Sequence, residues 1–235
     1  MFKDTIEGLG EIFQKDIGPP MIIIVRGPPG SMKTTFIHMI MSRYLSKHDE
    51  FGLYTTLEES VRSHLRTIKS IGMDICLNMQ ISDFSELRKS QGDNIDKIDY
   101  LGFTEDLVKH FKGIYKDKFT VFAFDSLGAL YSLMRGVESP QAVRKKIYHF
   151  FEMLRDHNLI AFMVMESAIE GESKLLGDEG YLSDGIVLLG LKRKQGKLIR
   201  YLQVEKMRSV KHSMEMHAIE IRNNQIMVLG PIYED

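Results

Sequence analysis

Residues 21–45 read MIIIVRGPPGSMKTTFIHMIMSRYL. A short apolar, β-branched run breaks at Arg26, turns through Gly27, Pro28, Pro29, Gly30, Ser31 and Met32, and continues from Lys33, Thr34 and Thr35 into a helical pattern. A buried strand, a Gly/Pro turn and a helix opening on Lys-Thr form the context of a phosphate-binding loop, the Walker A motif. Backbone N–H groups and the helix N-terminus would surround a phosphate there. Lys33 is expected to neutralise the β and γ oxygens, and the Thr34 hydroxyl to take one coordination position on Mg²⁺. The chain departs from GxxxxGK[S/T] at Met32, where glycine keeps a side chain off the phosphates and accepts unusual dihedrals. The plainer alternative is a turn joining strand to helix, with Lys33 on the helix surface.

Working outward, apolar runs at Met21 to Val25, Gly52 to Thr56, Ile75 to Ile81, Phe119 to Phe124 and Leu159 to Met165 alternate with helical patterns. That order predicts a parallel sheet with crossover helices. Between Pro140 and His157, Val143, Ile147, Phe150, Phe151 and Leu154 keep three-and-four spacing, so this helix should bury one face. The fourth and fifth runs are almost wholly apolar, as central strands covered on both faces must be. Beyond Asp184 the pattern turns to hairpins around Gln195–Gly196 and Asn223–Asn224. The polar stretch Asp83 to Asp99 reads as an exposed excursion. With 235 residues and no repeat, one domain over residues 1–235 is expected.

A phosphate loop that hydrolyses ATP needs a carboxylate on a neighbouring strand to hold the metal through water. VFAFDSLGAL supplies Asp125 at a strand end, in the manner of a Walker B site; a helix N-cap is the alternative, and the two roles are compatible. LYTTLEES places Glu58 and Glu59 after another strand, Glu58 preferred over Glu59 for orienting or deprotonating water. The alternative is an acidic first helical turn. Glu166 and Ser167 reach the same sheet edge, with a γ-phosphate contact and a structural role equally open.

With these residues in place, the chain resembles the KaiC-like branch of the RecA superfamily over nearly its whole length. IEGLGEIF is similar to the entry segment of that family, GPPGSMKTT to its Walker A loop, LYTTLEES to its double-glutamate segment and VFAFDSLGAL to its Walker B strand. YLSDGIVLL and YLQVEKMRSVKH resemble its later segments. The resemblance implies an α/β, RecA-like P-loop fold, with a mainly parallel central sheet, helices on both faces and C-terminal antiparallel hairpins. It further implies that Lys206 and Arg208, with His212 at the family's spacing, reach the γ-phosphate of a neighbouring subunit's ATP, as cations that stabilise the transferred phosphoryl. Ser209 and Lys211 stand where the family usually has Gly and Ser. Without the resemblance, EKMRSVKH reads as a charged strand end.

Nucleotide between subunits implies a homo-oligomer, a ring such as a hexamer or an open filament. The expected ligands are ATP or ADP with Mg²⁺, and the expected role is regulatory or signalling, with room for a protein partner not named by the sequence. The 31 basic and 32 acidic residues give a net charge of −1, which disfavours a nucleic-acid partner without closing it off. Neither the opening residues nor any apolar run suggests a signal peptide or bilayer span, and a lone Cys76 fits a cytoplasmic protein. Cys76 and the scattered methionines read as packing, and the eight histidines show no metal-ligand spacing. Two alternatives remain: a nucleotide-gated binding protein that hardly hydrolyses ATP, favoured by Met32, and a recombinase-like DNA-binding filament.

Overall fold

The structure, a computed structural model, describes residues 1–73, 75–91, 98–134, 137–167, 179–222 and 225–233. The apolar run at Met21 becomes β1 (Met21–Gly27), the middle strand of a nine-stranded sheet. β2 (Phe51–Thr56), β3 (Met79–Asp83), β4 (Phe119–Asp125), β5 (Ile160–Glu166) and β6 (Gly185–Lys194) join it in the order β3-β2-β4-β5-β1-β6, all parallel. β7 (Lys197–Met207), β8 (His217–Arg222) and β9 (Gln225–Pro231) extend that edge antiparallel, giving the RecA-like α/β fold with C-terminal hairpins that the sequence implied. β4 and β5 are interior strands, though the middle position belongs to β1.

Strand residues alternate between two cores, as the pleat requires. Ile23 and Val25 face a core with α2 (Lys33–Leu45), where Phe36, Ile37 and Met41 are buried. Short α1 (Leu9–Ile12) and the N-terminal residues Phe2 and Ile6 close the same core. Ile22 and Ile24 face the opposite core, against α5 (Tyr100–Tyr115), α6 (Leu127–Met134) and α7 (Pro140–Asp156). The predicted stripe Val143, Ile147, Phe150, Phe151 and Leu154 is buried there. Each such side chain contributes about 1.5–3 kcal/mol by leaving water.

Two local expectations change. The run from Ile75 yields a strand only from Met79: Cys76 is buried as expected, but Leu77 is fully in solvent, so no period-two pattern precedes Met79. The polar excursion after Asp83 begins as helix α4 (Ser85–Gln91), whose start is fixed by Asp83 accepting from the Ser85 amide at 2.7 Å. The Gln195–Gly196 hairpin forms with both residues at positive φ (50° and 76°), whereas the Asn223–Asn224 turn lies outside the described residues. Among the described residues no helix is long and apolar enough to cross a membrane.

Candidate active site

The parallel strands bring four sequence-predicted segments to one edge, where their carboxyl ends meet; open α/β sheets bind ligands at that edge. β1 delivers the loop Pro28–Met32, β2 the turn carrying Glu58 and Glu59, β4 Asp125 and Ser126, and β5 Glu166 and Ser167. The Ser167 amide donates to the Gly27 carbonyl at 3.2 Å, tying the end of β5 to the loop. Gly27 is required by close approach: a Cβ there would stand 2.0 Å from the Leu189 carbonyl oxygen. Gly30 is required by its φ of 79°.

Met32 also adopts the left-handed conformation (φ 75°, ψ 27°) that glycine takes most readily, and its half-buried side chain packs on the apolar core beneath α2. The chain therefore keeps the backbone shape of the motif without its glycine and directs the thioether into packing. Met32 is the N-cap of α2 and supplies no side-chain cap, so the donors of the first helical turn remain available to an anion. The Ser31 hydroxyl is buried in the loop without a partner. Lys33 is buried, and its Nζ donates to the carbonyls of Gly27 (2.8 Å) and Pro28 (3.1 Å), so it is part of the loop and not helix surface. Burial pushes the Lys33 ammonium below its usual value, opposed by Glu166, Asp125 and Glu58.

Asp125 is the most enclosed carboxylate of the group. Thr34 Oγ1 donates to its Oδ2 at 2.7 Å and the Tyr54 hydroxyl to the same oxygen at 2.6 Å. Burial raises its pKa; the two hydroxyl donors oppose the rise, while Glu58 adds to it. A carboxylate so placed is costly unless hydrogen-bonded or facing a cation. Asp125 does not cap the following helix, because Ser126 does: its Oγ accepts from the Ala129 amide at 3.0 Å. Likewise Glu58 and Glu59 are not a first helical turn. They precede α3 (Val61–Ser70), whose N-cap is Ser60, and their amides donate to Thr56 Oγ1 at 3.1 and 3.3 Å. The exposed Glu58 accepts from Ser126 Oγ beside Asp125, while Glu59 Oε1 pairs with His64 Nδ1 at 3.1 Å.

The residues present fit a polyphosphate with a divalent cation. The orphaned Ser31 hydroxyl and the uncapped start of α2 are donors an anion would satisfy, and the Thr34–Asp125 pair is an oxygen donor set suited to Mg²⁺. Thr35, the third residue of α2, follows directly.

Lys206, Arg208 and His212 are not brought to this edge. Lys206 pairs with Ile186, which is level with Ile24, and the Arg208 amide donates to Asp184, whose own amide donates to Ile22. Arg208 thus lies level with Ile22, about 16 Å along the strands from Gly27 at ~3.3 Å per residue, at the opposite edge. There Lys206 Nζ donates to the carbonyls of Gly180 (2.8 Å) and Ser183 (2.6 Å), and Arg208 to Tyr181 and Asp184. His212 Nδ1 sits 2.9 Å from the Val210 carbonyl, beside the N-terminal segment. Ser209, where the family usually has glycine, has φ 63°, the same retention of backbone shape seen at Met32.

Sequence reasoning missed several residues. Arg200 on β7 donates from Nε to the Gly30 carbonyl at 3.0 Å, and Arg26 makes a two-point pair with Glu205. Tyr54, buried in β2, supplies the second donor to Asp125. His38 of α2 and His64 of α3 meet in the interior, Nδ1 to Nε2 at 3.0 Å. Nothing local announces pairs separated by 26 to 179 residues; only the strand order does.

Comparison with known proteins agrees with this fold. Residues 2–232 match the family described as "ATPase: KaiC". The chain is 26% identical to a UPF0273 protein of Sulfurisphaera tokodaii, covering 95% of this chain and 80% of that one. It is 27% identical to the circadian clock oscillator protein KaiC of Prochlorococcus marinus, covering 88% of this chain but only 41% of the larger protein. A crystal structure of a KaiC-like protein from Pyrococcus horikoshii superposes with a TM-score of 0.79 at 22% identity, over 96% of this chain and 97% of that one. The Gly/Pro loop after β1, the enclosed Asp125 carboxylate, the strand order and the family match converge: the chain belongs to the KaiC family of ATPases, a family of nucleotide-binding P-loop proteins.

Proposed function

We propose that residues 1–235 act as one Mg²⁺-dependent ATPase domain, assembled as a homo-oligomer with nucleotide between subunits, in a cytoplasmic regulatory or signalling role. The observation that carries the reading is a division of labour across the sheet. Lys33, Thr34, Asp125 and Glu58 gather at one edge, and Lys206 and Arg208 at the other. A chain so built cannot bring Lys206 and Arg208 to the phosphates beside its own Lys33, but can offer them to a neighbour.

In this reading the backbone N–H groups of Gly30 and of Met32 to Thr34 hold the β-phosphate and Lys33 matches the charge on the β and γ oxygens. Mg²⁺, when bound by Thr34 directly and Asp125 through water, would neutralise the bridging charge. Glu58, held by Ser126, accepts a proton from water as its oxygen bonds to the γ-phosphorus in line; the bond to the β–γ bridging oxygen breaks and ADP and phosphate leave. Lys206 and Arg208 of the next subunit stabilise charge on the equatorial oxygens. The packing of Met32 against the core supports hydrolysis over a non-hydrolysing binder, the alternative that Met32 favours.

The test uses two inactive proteins. Lys33→Ala should abolish ATP binding, and Arg208→Ala should keep binding while cutting turnover at least a hundredfold. Mixed and allowed to exchange subunits, they should recover activity, because some boundaries pair an intact loop with an intact Arg208. No recovery in a mixture shown to contain hybrid oligomers would refute the shared site, and normal rates in both variants would refute the ATPase scheme.

A further inference from the structure

The paired carboxylates Glu58 and Glu59 follow one another in sequence but have opposite surroundings. Glu58 is exposed, bonded to Ser126 beside the Walker B aspartate. Glu59 turns the other way, onto His64, which is buried in the first half of α3 and touches buried His38 on the phosphate-loop helix.

Hydrogen-bond logic fixes the protons along this line. An ionised carboxylate only accepts, so His64 Nδ1 must carry the proton that faces Glu59. Neutral His64 then has a bare Nε2, which can only accept from His38 Nδ1–H at 3.0 Å. His38 Nε2 is left as a buried lone pair without a partner. The Tyr54 ring lies against both imidazoles, with centroids 4.7 Å from His64 and 6.4 Å from His38, while its hydroxyl holds Asp125. Reversing either tautomer would set two donors or two acceptors against each other, so the row has one direction: His38 to His64 to Glu59.

We propose that His64, oriented by His38, is a positioning residue that anchors Glu59 on α3 and leaves Glu58 as the one member of the pair free to act on water. The consequence for turnover rests on the ATPase reading above; the anchoring itself does not. It also links the phosphate-loop helix, α3 and the double-glutamate turn through two imidazoles, so the orientation of the turn depends on α2.

Long-range ¹H–¹⁵N NMR of the histidine-labelled, nucleotide-free protein tests the anchoring directly. His64 should show a protonated Nδ1 and a bare Nε2, His38 the same tautomer, and Glu59→Gln should move the His64 resonances. A proton on His64 Nε2 would overturn the proposal without touching the ATPase reading. In steady-state kinetics, Glu59→Gln should cost at least tenfold less in kcat than Glu58→Gln. His64→Leu, checked for folding by the same spectra, should lower kcat about fivefold at unchanged KM, with His64→Asn, whose amide offers a donor near Nδ1, recovering most of it. Equal losses for the two glutamate variants, or a His64→Asn variant no better than His64→Leu, would overturn the positioning role. A wild-type protein without turnover would refute the ATPase reading, and the NMR result alone would then decide the anchoring.

Discussion

Replacing His38 by leucine should change how stability responds to acid. His38 is buried in α2, and burial together with neighbouring His64 pushes its pKa from 6.5 to about 3. The unfolded chain takes up a proton at this position as pH falls through about 6.5, while the folded chain stays neutral until about pH 3. The stabilising contribution of neutral His38 is therefore complete above pH 6.5 and is lost progressively below it. Each unit in that window costs about 1.4 kcal/mol, and the sum between pH 7 and pH 5 is about 2 kcal/mol. His38→Leu has no such term. Whatever its stability at pH 7, its difference from wild type should shift by about 2 kcal/mol in its favour by pH 5. Urea unfolding of both proteins at pH 7, 6 and 5, at one ionic strength and with matching m values, measures this. Parallel profiles, with a difference constant to within about 0.5 kcal/mol, would refute the burial argument, since 2 kcal/mol is far above that error.

Tyr54→Phe should remove one of the two donors on Asp125, costing about 1.5–3 kcal/mol for a bond to a charged group; saturating ATP with Mg²⁺ should restore part of that in thermal unfolding, and a variant as stable as wild type without ligand would contradict the described pair. Ser209→Gly should relieve a left-handed backbone and raise stability by up to about 1 kcal/mol despite the added freedom of the unfolded chain. A lower melting temperature would show that the serine side chain contributes more than the strain costs.

Features that were legible from the sequence are those whose physics is local. A buried strand, a tight turn and a helix start lie within 25 residues around Lys33, and the alternation of apolar runs with three-and-four spacing dictates the parallel sheet. Even the deviations at Met32 and Ser209 were visible as departures. That both keep positive φ required the backbone, because sequence does not tell whether a glycine position is lost or merely occupied by something else. What stayed hidden was created by strand order. Tyr54 reaches Asp125 because β2 pairs with β4, and Arg26 reaches Glu205 across β6. The separation of Glu58 from Glu59 depends on an imidazole row between two helices that no spacing rule encodes. For Asp125 and the glutamates, a helix cap and first-turn acids stood as alternatives to the preferred reading until Ser126 and Ser60 were seen in those places.

Native mass spectrometry of the chain with and without ATP and Mg²⁺ reports bound nucleotide and subunit number at once. The account predicts an oligomer carrying one nucleotide per chain, with the nucleotide lost in Lys33→Ala. A bare chain at millimolar ATP and Mg²⁺, identical in mass to the Lys33→Ala protein but for the substitution, would contradict it.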